Sequence, residues 1–212
     1  MIAEFLITGP ETSKPTIALA HGAGAAMDSP FMAAFADGLA GRGLRVVRFE
    51  FPYMAERRAT GRKRPPDRAA VLIETWTAVI QHFGADRLVI GGKSMGGRIA
   101  SMVAEDAGVL GLACLGYPFH PPGRPEKTRT EHLKSLKTPA LFLQGTRDTL
   151  GNEDDVTGYA LSPAIHLHWL EDGDHGFKPR KKSGRTEAQN WEDAIEALSA
   201  FAASLDSPGT RA

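Results

Sequence analysis

Short apolar runs rich in Val, Ile, Leu and Ala alternate along the chain with stretches whose apolar residues recur at helical spacing. That alternation predicts a mostly parallel sheet with helices on both faces. Strands are expected near Ala3–Ile7, Thr16–Ala20, Leu44–Phe49, Leu88–Gly91, Leu112–Gly116, Ala140–Gln144 and Ile165–Leu170. Helices are expected from Asp28-Ser29-Pro30 to the stop at Gly41 and Gly43, from an N-cap at Asp67 to Phe83, over Met95–Ala107, Glu153–Leu161 and Glu187–Leu205. Proline suits a first helical turn because its missing N–H has no partner there. The segment Arg57–Arg64 reads as a basic loop, and 206–212 as a frayed tail. Without a repeat or a linker, residues 1–212 read as one α/β domain. Tyr117–Thr138 is rich in Pro and charge, with a brief helical pattern at Glu131–Leu136. It is where a lid would fall, and about twenty residues is too few for a cap domain.

Composition narrows the function classes. The 212 residues carry 25 Lys+Arg against 25 Asp+Glu, a balance that argues against a general nucleic-acid binder. The single cysteine, Cys114, excludes an internal disulfide and, inside Leu112–Leu115, is expected to be buried. The first residues lack a basic, long apolar leader and no apolar run approaches 18 residues, so the expectation is a cytoplasmic protein that does not engage a membrane.

Gly92-Lys93-Ser94-Met95-Gly96 sits between a strand and a helix. A tight turn there presents a serine hydroxyl at the carboxyl edge of the sheet, with free helix N–H groups beside it. Two other motifs overlap the chain's glycines and fail. A phosphate-binding loop would need glycine where Arg87 stands, and a dinucleotide fingerprint starting at Gly22-Ala23-Gly24 would need it where Met27 stands. Serine chemistry requires a base and an acid that orients it. His175 follows the last strand, and Asp148 follows Ala140–Gln144, so both fall on the edge that carries Ser94. Asp172 and Asp174 are nearer to His175 in sequence but poorly placed on a turn to accept from its ring. Oxyanion donors are expected from the N–H groups of Ala23 and Met95, with Gly24 in reserve. His21 is read as a buttress of its loop, His166 and His168 as strand-surface residues, and His82 and His132 as helix-surface residues. Phe51, Tyr53, Tyr117 and Phe119 follow strand ends and either line an apolar substrate pocket or pack the loops, with His120 at the rim.

Together these motifs, His21-Gly22-Ala23-Gly24, the serine turn, Gly145-Thr146-Arg147-Asp148 and Gly173-Asp174-His175, resemble the α/β-hydrolase superfamily over Thr16–Leu205. The wording around Leu19–Pro30, Phe49–Tyr53 and Gly91–Gly97 is similar to a narrower group of small capless dienelactone-hydrolase-like proteins and the testis-expressed protein thirty. The resemblance implies an eight-stranded sheet, here short of one or two early strands, and hydrolysis of an ester or thioester by a Ser-His-Asp triad.

The expected activity is acyl transfer to water by Ser94, His175 and Asp148 on a small ester or thioester, with neither metal nor organic cofactor; the rival is a hydrolase-shaped binding module without turnover. The sequence does not set the oligomeric state. Arg57, Arg58, Arg62, Lys63 and Arg64 after one strand, and Lys178, Arg180, Lys181, Lys182 and Arg185 after another, are expected to share the rim of the site. They either steer an anionic substrate or simply solvate the open face.

Overall fold

A computed structural model describes residues 4–205. Seven strands form one sheet: β1 (Phe5–Thr8), β2 (Thr16–Ala20), β3 (Arg45–Phe49), β4 (Leu88–Lys93), β5 (Gly111–Leu115), β6 (Ala140–Gly145) and β7 (Ile165–Leu170), in the order β1-β3-β2-β4-β5-β6-β7. Only β1 runs antiparallel, pairing Phe5 with Phe49, and the other pairs are parallel. Among the described residues the sheet thus has seven strands, within the expectation of eight less one or two early ones.

Each central strand is buried on both faces, and its alternate residues feed two cores. Ala18, Ile90, Cys114 and Phe142 point to one side and meet α3 (Ala69–Phe83) through Leu72, Trp76, Val79 and Ile80. Leu19, Val89, Leu115 and Leu143 point to the other and meet α1 (Pro30–Ala40) and α7 (Glu187–Leu205) through Phe35, Leu39, Ile195 and Leu198. Cys114 is fully buried, and burial pushes its thiol up, out of the reactive range.

Several boundaries differ from the sequence reading for local reasons. The basic stretch after β3 begins as a helix, α2 (Pro52–Thr60). Pro52 starts it, Tyr53 and Met54 bury its inner side, and Arg57 and Arg58 fall in the last turn, where cations suit the helix dipole. Asp67 does not cap α3; Arg68 holds the cap position. The Asp67 carboxylate instead accepts the Tyr53 N–H at 2.8 Å and pairs with Arg64. The expected helix over Met95–Ala107 is broken at Met102-Val103 into α4 (Met95–Ser101) and α5 (Ala104–Ala107). α6 (Glu153–Thr157) is shorter than expected and is fixed by a capping box between Asn152 and Asp155. Ala3 and 206–212 lie outside the described residues. Between β5 and β6 only a short 3-10 turn, Glu131–Lys134, forms, anchored by buried Leu133; no lid stands over the site among the described residues.

Candidate active site

Ser94 occupies the turn between β4 and α4 with φ 52° and ψ −114°, a left-handed backbone that a serine adopts only under constraint. The constraint is close packing. A Cβ on Gly96 would come within 2.5 Å of the Ala20 carbonyl oxygen, so only glycine lets α4 start this near β2. The Ser94 N–H is held by Leu115 O at 3.0 Å, and Met95, as the first helical residue, keeps its own N–H free of an intrahelical partner.

After β7, the loop Gly173–Phe177 carries His175 back across the sheet edge. Its Nδ1 donates to Asp148 Oδ2 at 2.7 Å. Asp148 is completely buried, and its second oxygen accepts the Leu150 N–H at 2.9 Å while Gln144 Nε2 donates to Oδ2 at 2.9 Å. Both oxygens of that carboxylate are thus engaged, which fixes its orientation and holds the ring with Nε2 as the acceptor. His175 and Ser94 face the same cleft. No hydrogen bond joins them among the described residues, and such contacts commonly tighten only with substrate present. Asp172 and Asp174 hold the loop. Arg180 pairs with Asp172 and brings its carboxyl down to about 2, while Asp174 Oδ1 accepts the Gly176 and Lys178 N–H groups at 2.8 and 3.0 Å.

The strand-end loop His21–Gly24 lies against the serine turn, with Ala23 lining the clefts on either side of Ser94. His21 is a buttress. Its Nδ1 donates to Gly22 O at 2.7 Å and its Nε2 accepts the Phe51 N–H at 3.1 Å, while burial holds its pKa down. Both nitrogens being engaged, it has no proton to exchange with a substrate.

Two clefts meet at Ser94. The larger, about 510 Å³, is mostly apolar, with Phe31, Met32 and Trp191 in its wall and Lys93 at its floor. The Lys93 ammonium donates to His175 O and faces the rings of Phe31 and Phe177 at 5.4 and 5.6 Å. Burial pushes its pKa down to about 8. The second cleft, about 340 Å³, runs past Met95 to Arg98, Pro118 and Arg129.

Of the two expectations for the aromatic residues after the strand ends, the structure shows loop packing. Phe51, Tyr53, Tyr117, Phe119 and His120 are all buried and line neither cleft, because each is used to pack or tie a loop. Tyr53 OH donates to Ala23 O at 3.0 Å, Tyr117 OH donates to Arg129 O at 2.9 Å, and His120 bonds Pro121 O at 3.0 Å. Phe119 packs edge-on against Tyr117 and at a tilt against Tyr159. Several basic rim residues are likewise neutralised: Arg58 by Glu50 and Asp28, Arg64 by Glu56 and Asp67, Arg180 by Asp172 and Arg185 by Asp193. His132 is half-buried rather than on a helix surface, with Nε2 2.9 Å from Ser101 Oγ. His168 pairs with Asp193, and no cluster of three metal-ligating side chains occurs among the described residues.

Sequence reasoning missed Lys93, Arg98, Arg129, Phe31 and Trp191. Arg98 had a usable signal, since a residue four positions after Ser94 on a helix lies one turn along the same face. The others are assembled from distant segments.

Solved structures share this architecture at low identity. A lidless α/β serine hydrolase of Xanthomonas campestris matches with a TM-score of 0.68 at 20% identity, over 94% of this chain and 88% of that one. The monoacylglycerol lipase of Paleococcus ferrophilus gives 0.70 at 14%, over 95% and 100%. Est1E of Butyrivibrio proteoclasticus gives 0.68 at 14%, over 94% of each. The model of the alpha/beta hydrolase domain family matches residues 13–203, and the chain belongs to that family.

Proposed function

We propose that the protein is a serine hydrolase that cleaves carboxylic esters or thioesters of small molecules through an acyl-enzyme. The observation that carries this reading is the 2.7 Å bond from His175 Nδ1 to a fully buried Asp148, on the sheet edge where Ser94 stands in a strained turn. In the proposed cycle the Ser94 hydroxyl oxygen bonds to the substrate carbonyl carbon while His175 Nε2 takes its proton. The N–H groups of Ala23 and Met95 receive the oxyanion. Collapse breaks the bond to the alcohol or thiol, which leaves with the proton from His175. Water, deprotonated by the same nitrogen, then releases the acid and restores Ser94. The monoacylglycerol lipase that shares this fold supports an ester substrate, and the apolar wall of Phe31, Met32 and Trp191 suits an uncharged chain or ring.

A second reading arises from the Ser101–His132 contact. Ser101 is buried on α4, and its hydroxyl donates to Arg98 O at 2.7 Å. Its one proton being used, His132 Nε2 must be the donor to Ser101, the tautomer that cannot act as a base. Burial and Arg98 also hold the His132 pKa down, and no carboxylate orients it among the described residues. The first reading is therefore the stronger. A screen of p-nitrophenyl esters and thioesters of increasing acyl length tests it: turnover lost in Ser94→Ala and kept in Ser101→Ala is expected, and the reverse overturns it.

A further inference from the structure

We infer that the cleft on the α4 side of Ser94 is an anion subsite, in which Arg98 and Arg129 receive a carboxylate or phosphate-type group carried by the substrate. The inference rests on Ser94 being the nucleophile only for its place in the reaction, since the cleft and its charges exist independently.

Arg58, Arg64, Arg180 and Arg185 on the rim are paired with carboxylates, but Arg98 and Arg129 are not. Among the described residues neither guanidinium lies within ion-pair distance of a carboxylate. Arg98 Nε is buried with no hydrogen-bond partner. Arg129 makes a single long contact, to Pro118 O at 3.5 Å. Asp67 also borders the cleft, but its oxygens are taken by the Tyr53 N–H and Arg64. Two like charges near one another are unfavourable, and the Arg129 pKa is held down by burial first and then by Arg98. A half-buried guanidinium pair with no carboxylate partner costs stability unless something compensates it. An anion bridging the two would supply that compensation with charge-assisted, forked hydrogen bonds.

The arrangement is held in place before any ligand arrives. Arg98 sits one helical turn beyond Ser94 on α4, so its position is set by the same element as the nucleophile. Arg129 is fixed through its backbone, its N–H donating to Phe119 O at 2.7 Å and its carbonyl accepting from Tyr117 OH at 2.9 Å. Tyr117 is fully buried, so that clamp is rigid. The 340 Å³ cleft opens on Ser94 and Met95, and the apolar cleft opens on the other side of Ser94. A substrate matched to both is an ester with one apolar portion and one anionic portion, divided at the scissile bond.

Binding to Ser94→Ala, which cannot turn the ligand over, tests the subsite without relying on catalysis. The probes are p-nitrophenyl hemiglutarate, its neutral methyl ester, and the p-nitrophenyl ester of phosphonobutyrate, measured by calorimetry at fixed ionic strength. At least one anionic probe is expected to bind roughly tenfold or more tightly than the neutral one, the scale of charge-assisted bonds to an arginine; the tighter of the two assigns carboxylate or phosphate-type chemistry. Adding Arg98→Gln or Arg129→Gln should bring the ratio to within about twofold, while Arg98→Lys, which keeps charge but not the fork, should retain part of it. Circular dichroism establishes that each variant is folded, and the lysine variant serves if a glutamine variant is not. A ratio near one in Ser94→Ala, or a preference that both glutamine changes leave intact, overturns the subsite. Fluorophosphonate labelling of the chain with Ser94, Arg98 and Arg129 all present separates the two claims: a labelled chain whose Ser94→Ala form shows no anion preference overturns the subsite alone, and an anion preference in a chain whose Ser94 is never labelled overturns the reaction alone.

Discussion

Replacing Asp148 with Asn exchanges one oxygen for an NH2 group in a pocket where both oxygens accept. Oδ2 receives the His175 Nδ1–H at 2.7 Å and a Gln144 N–H at 2.9 Å, and Oδ1 receives the Leu150 N–H at 2.9 Å. An amide can satisfy only one side. With its NH2 toward Leu150, two buried donors oppose one another, at a cost of about 1–3 kcal/mol in stability. With its NH2 toward His175, the ring must turn to the tautomer protonated on Nε2, which cannot take the serine proton. Loss of the carboxylate also removes the charge that stabilises the imidazolium. The combined effect on kcat should be about 10⁴-fold, or about 5 kcal/mol at 1.36 kcal/mol per decade. The assay is hydrolysis of p-nitrophenyl butyrate by wild type, Asp148→Asn, Asp172→Asn and Asp174→Asn, each checked by thermal melting. Asp172 and Asp174 bond Arg180 and loop N–H groups rather than the ring, so their variants should lose much less. An Asp148→Asn enzyme within about tenfold of wild type, or an Asp174→Asn enzyme more damaged than it, would refute the assignment of the acid.

Ser94→Gly should remove turnover yet raise stability by about 1 kcal/mol in urea titration, because φ 52° with ψ −114° is strained for serine and not for glycine. Gly116→Ala should lower kcat and the melting temperature together: at φ 68° a Cβ would fall 2.7 Å from Lys93 Nζ and 2.9 Å from His175 O, displacing the loop that holds the base. Lys93 should make stability depend on pH. Its folded pKa, about 8, lies below the unfolded value of 10.5, so between them the unfolded chain binds more protons and stability should rise with pH across that window. Urea titrations at about pH 7.5 and 9.5 should show this rise in wild type and a smaller one in Lys93→Met; equal slopes would contradict it.

The strands β2 to β7 and helices α1, α3 and α7 were legible because their apolar periods are long and uninterrupted. The α2 helix was not, since Arg57, Arg58 and Thr60 mask the two buried residues, Tyr53 and Met54, that fix it. Ser94, Asp148 and His175 could be named as candidates because each follows a strand, and a parallel sheet delivers strand ends to one edge. That rule fixes which loops converge but not which side chains turn inward. Tyr53 and Tyr117 follow strand ends too, yet their rings enter the core and only their hydroxyls reach the loops they hold. Arg129 belongs to an irregular segment whose path is set by the buried Phe119, Leu133 and Tyr117, and no local pattern announces where its guanidinium ends up. Part of the basic rim is paired locally: Glu50 and Asp172 each stand eight residues before the arginine they hold, Arg58 and Arg180, on the same segment after a strand.

The most direct test of the central claim is to treat the protein with a fluorophosphonate and locate the adduct by intact-mass and peptide mass spectrometry. The account predicts a single adduct on Ser94, formed far more slowly in His175→Ala and Asp148→Asn and absent from Ser94→Ala. An unmodified wild-type chain, or an adduct on Ser101 that survives Ser94→Ala, would contradict it.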